Sequence, residues 1–147
     1  MGIFEKVLGK ESGTVSLTKQ EAFAAVGAAT VAVDGDSSQE ELQRIAEDLL
    51  SLGTFRGYDI DDLIGTLDKV LGLIQKRGTG PIFSAVKATL TKEELKAAFF
   101  LAADLALADG IVEPEEEELL EDRKKILQID DETALKIVEV AVIKNSG

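Results

Sequence analysis

Residues 90–116 read LTKEELKAAFFLAADLALADGIVEPEE, and residues 17–41 read LTKQEAFAAVGAATVAVDGDSSQEE. Each stretch opens on a Thr-x-x-Glu capping box, Thr18 with Glu21 and Thr91 with Glu94, in which the threonine closes one free backbone donor and the glutamate another. Each then runs through an alanine-rich apolar segment into an Asp-Gly pair, Asp34-Gly35 or Asp109-Gly110, where glycine can take the left-handed conformation that ends a helix. A second helix follows both pairs. In the first copy Ser38 and Glu41 form another capping box ahead of Leu42, Ile45, Leu49 and Leu52. In the second, Pro114 suits the first helical position, which makes Glu113 the N-cap and puts Glu116 at the third helical residue. The chain thus repeats a helix, break and helix unit, over about 17–52 and 90–128.

Between the copies, Ile60, Leu63, Ile64, Leu67, Val70, Leu71 and Ile74 recur at i, i+3, i+4 and i+7, with Asp59 as N-cap and Gly78 past the end, which is an amphipathic helix. A short helix is expected to start at Pro81 and cover Ile82, Phe83 and Val86. A last one runs from about Asp131 through Leu135, Val138 and Val142. No stretch alternates as a strand does. The helix from Thr91 to Asp109 is apolar nearly all round, Asp104 being the single polar residue between Ala97 and Ala108, and such a helix belongs in the middle of a bundle. The expected fold is all-α: a single compact bundle of six or seven helices, built from two pseudo-repeated helix-turn-helix halves around segments 22–33 and 97–108. At 147 residues the chain fits one domain that buries roughly two thirds of its unfolded surface.

Composition narrows the chemistry. Lys and Arg total 16 against 28 Asp and Glu, a net charge of -12, a field that repels nucleic-acid phosphates and anionic membrane surfaces and favours cationic partners. The chain has no Cys and no His. That excludes disulfides, thiol redox chemistry, a Ser-His-Asp triad and a Cys-His pair, and leaves only oxygen ligands for any metal. No signal peptide opens the sequence, and the longest uncharged apolar run, Ala22 to Val33, would make a helix of roughly 18 Å, short of the 30 Å or so of a bilayer core. A soluble, cytoplasmic protein without membrane insertion is expected.

The repeated corners carry the candidate chemistry. Glu41 and Glu116 are explained by capping, because negative charge is favourable in a first helical turn. Asp34 and Asp109 are not: a carboxylate at a helix C-terminus opposes the backbone dipole by roughly 0.3 to 1 kcal/mol. Their spacing from Thr30 and Gly27, and from Ala106 and Ala102, turns them toward the apolar side. A hard divalent cation (calcium, magnesium or manganese) bridging Asp34 to Glu41 or Asp109 to Glu116 would resolve that penalty. The spacing is not that of an EF-hand loop. Asp59, with Asp61 and Asp62, reads first as a helix start. The run Glu113, Glu115, Glu116, Glu117, Glu118, Glu121 and Asp122 reads as a solvated helix face, or as a docking surface for a basic partner. A metal hydrolase would need carboxylates or Lys poised for proton transfer, and the sequence shows no such pair.

These residues resemble the TerB tellurite-resistance family over nearly the whole chain. The family pattern has a Phe-x-Lys-Val-like start, here Phe4-Glu5-Lys6-Val7. It continues with Ala-x-Asp-Gly and a Glu seven after the Asp, here Ala32-Val33-Asp34-Gly35 to Glu41. An aromatic and acidic middle follows, here Phe55-Arg56-Gly57-Tyr58-Asp59-Ile60-Asp61-Asp62, and then the second copy, Leu107-Ala108-Asp109-Gly110 to Glu116. Asp104 departs from the pattern, standing where the family has a small or apolar residue. The resemblance implies an all-helical TerB fold and a role in tellurite resistance and related stress responses. It also implies metal binding by acidic clusters and partners among other Ter proteins, some associated with the inner membrane. Carried over, the metal residues are Asp34, Glu41, Asp109 and Glu116, with Asp59 from the middle segment. The expectation is a non-enzymatic, divalent-cation-binding helical protein. The alternative is a metal-free acidic scaffold for protein interaction.

Overall fold

The computed structural model describes residues 15–32, 39–108, 110 and 112–147. Among them lie seven α-helices and no strand: α1 (Lys19–Ala32), α2 (Gln39–Leu50), α3 (Ile60–Arg77), α4 (Thr79–Thr89), α5 (Lys92–Ala106), α6 (Pro114–Ile126) and α7 (Asp131–Ser146), with one 3-10 turn at Gly53–Phe55. The all-helical expectation holds.

The helix starts follow local chemistry. Glu21 N donates to Thr18 Oγ1 at 3.1 Å and Thr18 N donates back to Glu21 Oε1 at 2.9 Å. Thr91 and Glu94 repeat the exchange at 2.9 and 3.2 Å. Asp59 caps α3 through Asp62 N at 2.8 Å, and Glu113 N donates to Glu116 Oε1 at 3.0 Å at the start of α6. One boundary differs from expectation. Helix α4 begins at Thr79, two residues before Pro81, because the first-turn N–H groups have no intrahelical acceptor and proline loses nothing anywhere among them. The Ser38 cap expected for α2 lies outside the described residues.

Helix α1 is the axle of the bundle, touching α2, α3, α4 and α5, while α5 carries α6 and α7 on its other sides. Every residue from Ala22 to Thr30 other than Gly27 has a buried side chain, and the lone hydroxyl there, Thr30, donates to Val26 O at 2.8 Å. Alanines at 22, 24, 25, 28 and 29 and alanines at 98, 102 and 103 belong to one continuous core. Small side chains let helix axes approach toward the lower end of the usual 8–10 Å. A Cβ on Gly27 would lie 2.8 Å from Ile45 Cγ2, with Leu101 and Leu105 3.6 and 3.7 Å away. Phe23, Phe55, Phe83 and Phe99 fill the wider gaps.

The two central helices are parallel and in register. Lys19 pairs with Glu94 at 2.7 Å near their N-termini, and Gly27 faces Leu101 and Leu105 further along. Residues 19 and 94 are 75 apart, the interval that also separates Asp34 from Asp109 and Glu41 from Glu116. The first helices of the two copies therefore lie side by side, with residues at the repeat interval nearly level.

Candidate functional site at the paired helix ends

Parallel packing at the repeat interval has a direct result. The C-terminal ends of α1 and α5, which lead into the Asp34 and Asp109 corners, leave the bundle on the same side. Asp34 and Asp109 themselves lie outside the described residues, as do Gly35 and Ser38. Gly110 is described, and its φ of 77° places it in the left-handed region that the corner calls for, with its N–H donated to Leu107 O at 3.0 Å.

The motif glutamates stand at equivalent places in α2 and α6. Glu41 and Glu116 are each half-buried, whereas the neighbouring Glu40, Glu115 and Glu117 are exposed. Both are thus less open to solvent than their neighbours, and Glu116 Oε1 accepts from Glu113 N at 3.0 Å. Asp59 is elsewhere. It caps α3 next to Tyr58, whose ring meets Phe55, which in turn meets Phe23 near the start of α1. From Phe23 to the end of α1 is roughly 14 Å along the axis, so the fold sets Asp59 apart from the glutamates. Among the described residues no group of three acidic side chains converges as a ligand set.

A second polar constellation adjoins these helix ends. Asp104, in the last turn of α5, is 3 % exposed. Asn145 Nδ2 donates to its Oδ1 at 2.7 Å, and Lys144 Nζ reaches both oxygens at 3.1 Å. Asp48 of α2 faces it. Two ionised carboxylates have no donor between them, and Asp48 Oδ2 is buried without a partner group; a proton kept on Asp48 and given to Asp104 satisfies both. Burial, reinforced by the adjacent Asp104 carboxyl, pushes Asp48 up to about 7. Burial also opposes the charge on Asp104, but hydrogen bonds from Asp48, Asn145 and Lys144 outweigh it and hold that carboxyl below its ordinary range. The pair therefore carries about one negative charge below neutrality, facing Lys144, and gains a second as pH rises through about 7.

The same contact recurs in the other half with different chemistry. By the repeat interval Asp48 corresponds to Arg123 and Asp104 to Ala29. Arg123 is 5 % exposed and its guanidinium donates to Ala29 O at 3.3 Å, pairs with Asp122 at 3.0 Å and lies 4.8 Å over the Phe83 ring. Burial draws the Arg123 pKa below its ordinary value, while Asp122 opposes the shift. A cation on a carbonyl in the last turn of α1 complements the helix dipole. Each half thus inserts one charged residue of its second helix against the first helix of the other.

Sequence reasoning singled out Asp104 as the lone polar residue between Ala97 and Ala108 but gave it no partner. It passed over Asp48 and Arg123, which look like ordinary helix-surface residues. The signal that would have found them is the repeat itself, extended from the corners to every position.

The fold and this end of it define a class: an acidic, all-helical module of two helix pairs whose first helices pack in parallel at the repeat interval. The chain belongs to the family described as tellurite resistance protein TerB, whose family model matches residues 20–137. No curated protein and no solved structure matches it.

Proposed function

We propose that the protein is a non-enzymatic helical module that takes up a hard divalent cation (calcium, magnesium or manganese) at the paired Asp-Gly corners and acts in tellurite resistance or a general stress response. One observation carries the reading: α1 and α5 lie parallel at the repeat interval, so their C-terminal ends lie on one side of the bundle, the side on which the half-buried Glu41 and Glu116 begin the next helices. The donors of such a site are oxygens, which suits hard cations. Asp34 and Asp109 would supply the charge that a helix C-terminus otherwise disfavours. Membership of the TerB family supports the biological setting, with other Ter or stress-response proteins as partners. No helix among the described residues is long and apolar enough to cross a membrane, so contact with the inner membrane would be made through such partners.

Calorimetric titration with calcium, magnesium and manganese tests this. Binding heat that Asp34→Asn and Asp109→Asn remove is the expected result; no heat and no thermal shift with any of the three ions would sink the proposal.

A second reading, a metal-free scaffold, is supported by the exposed acidic row Glu115, Glu117, Glu118, Glu121 and Asp122 on α6. It predicts a complex with a cationic protein that salt dissolves and a chelator leaves intact. Loss of the complex on chelation would argue against it.

A further inference from the structure

Helices α6 and α7 are consecutive, yet they splay apart and leave between them a groove of about 590 Å³. Phe99 and Leu107 of the α5 segment, Leu120 of α6 and Val138 of α7 line it. Val112 and Leu135 stand at its lip, 46 % and 61 % exposed. Large apolar side chains left open around a concave surface mark an interaction site more often than a neutral one. The volume lies in the range of ligand-binding clefts.

The charges beside the groove say what kind of occupant fits. Glu117 and Glu121 lie one turn apart on α6, and Asp131 opens α7 on the facing side. The cation among the lining residues, Lys124, is already held by Glu121 and by Asp131 at 2.7 Å. The rim therefore presents net negative charge over an apolar floor. A second copy of this chain would bring the same acidic rim against itself, within a total charge of -12 per chain. An anionic lipid surface is repelled for the same reason.

We infer that this groove is a docking site for an amphipathic helix of another protein, apolar on one face and rich in Lys or Arg on the other. The apolar face would seat on Phe99, Leu120, Leu135 and Val138, as in helix-in-groove recognition. The basic flanks would meet Glu117, Glu121 and Asp131, which speed encounter and select against acidic helices. Helix α6 is 13 residues long, roughly 20 Å, so three to four turns of partner helix match the groove. The groove runs beside the second corner through Leu107 and Val112, but its lining includes none of the residues proposed to hold the cation.

The test uses the full chain with methyl-labelled Leu and Val, in the presence of a chelator. The probe is a synthetic amphipathic peptide of about four turns with Leu and Phe on one face and Lys on the other, alongside a matched peptide with Glu for Lys. The expected result is saturable binding of the Lys peptide with shifts confined to groove methyls such as Leu135 and Val138, and none of the Glu peptide. Leu135→Asp and Glu117→Lys should each weaken binding tenfold or more, whereas Asp68→Lys, an equal charge change on α3, should leave it within twofold. Because Leu135, Glu117 and Asp68 are exposed, these variants should fold.

Equal effects of Glu117→Lys and Asp68→Lys would reduce the interaction to bulk charge and overturn the proposal. So would shifts centred away from the groove. A concentration-dependent dimer abolished by Leu135→Asp would assign the groove to a second copy instead. The first residues carry Ile3, Phe4, Val7 and Leu8 with Lys6 and Lys10. If deleting residues 1–14 moves the groove methyls without peptide and raises peptide affinity tenfold, the occupant is the chain's own start and the partner reading fails.

Discussion

Asp48 meets Asp104 at the point of the fold where, in the other half of the repeat, Arg123 meets Ala29. One interface position is thus filled by a carboxyl pair and its equivalent by a guanidinium on a carbonyl. The difference is chemical, and pH resolves it. Asp48 is raised in the folded protein from 3.8 to about 7, so the folded state holds a proton that the unfolded chain has released. Stability from this group is complete below pH 4 and is lost as pH rises through about 7. Asp104, held below its ordinary value, acts oppositely: its contribution is present above about pH 4 and fades under stronger acid.

Wild-type protein should therefore lose stability between pH 5 and 8, a range in which no ordinary carboxylate titrates. Asp48→Asn supplies a permanent donor to Asp104 and should flatten that decline, leaving the variant more stable than wild type at pH 8 by at least about 1 kcal/mol. Urea denaturation at pH 5 and pH 8 measures both. An identical pH profile in the variant would mean that the pair holds no proton.

Arg123 separates packing from charge. Truncation in Arg123→Ala removes the side chain beneath which Phe83 lies and leaves Ala29 O without its donor, so a loss of about 2–4 kcal/mol is expected. Arg123→Met keeps most of the volume and discards a buried charge whose Nε has no partner. Such replacements are often neutral or stabilising. Recovery of more than half of the alanine loss by methionine would show that Arg123 acts mainly as packing; equal losses would show that the bond to the end of α1 matters more.

Much of this fold is legible because helix starts are local events. The boxes at Thr18, Thr91, Asp59 and Glu113 each use partners three residues apart, and all four formed where the sequence places them. The central position of the alanine-rich helices is legible too, since a helix apolar on every side can only be buried. What the sequence conceals is contact between halves. Asp48 sits in an amphipathic helix with Arg44 one turn back, and nothing local distinguishes it from a solvated residue. The sharing of one side by the ends of the two central helices also depends on α1 and α5 being parallel, which no single-helix pattern encodes. Of the expected metal residues, Glu41 and Glu116 stand at equivalent half-buried positions, and Asp59 caps a helix at the other end of α1. Asp34 and Asp109 fall outside the described residues.

Gly27 tests how tightly the central contact is closed. In an exposed helix Gly→Ala is stabilising by roughly 0.5–1 kcal/mol. Here the added methyl would stand 2.8 Å from Ile45 Cγ2, and Ile45 is itself fully buried. Overpacking of this kind costs about 1–3 kcal/mol, so Gly27→Ala should be net destabilising by about 1 kcal/mol. Combining it with Ile45→Ala should cost less than the sum of the two single losses, because the second change removes the atom that clashes. Strict additivity in thermal or chemical denaturation would place the strain elsewhere.

Gln128 offers the reverse prediction. It follows α6 with a φ of 59°, the one described residue other than glycine with positive φ. Gln128 N donates to Lys125 O at 3.2 Å and Ile129 N to Lys124 O at 2.9 Å, the paired bonds of a Schellman ending, in which this position is normally glycine. A residue with a Cβ is disfavoured there by roughly 1–2 kcal/mol. Glycine returns about half of that through its freer unfolded chain. Gln128→Gly should therefore stabilise the protein by about 0.5–1 kcal/mol, visible as a rise of a few degrees in Tm. Gln128→Val, β-branched and least tolerant of the left-handed region, should lower it. If both variants matched wild type, the turn between α6 and α7 would have to relax out of this geometry in solution, and the splay of the two helices would no longer be set by it.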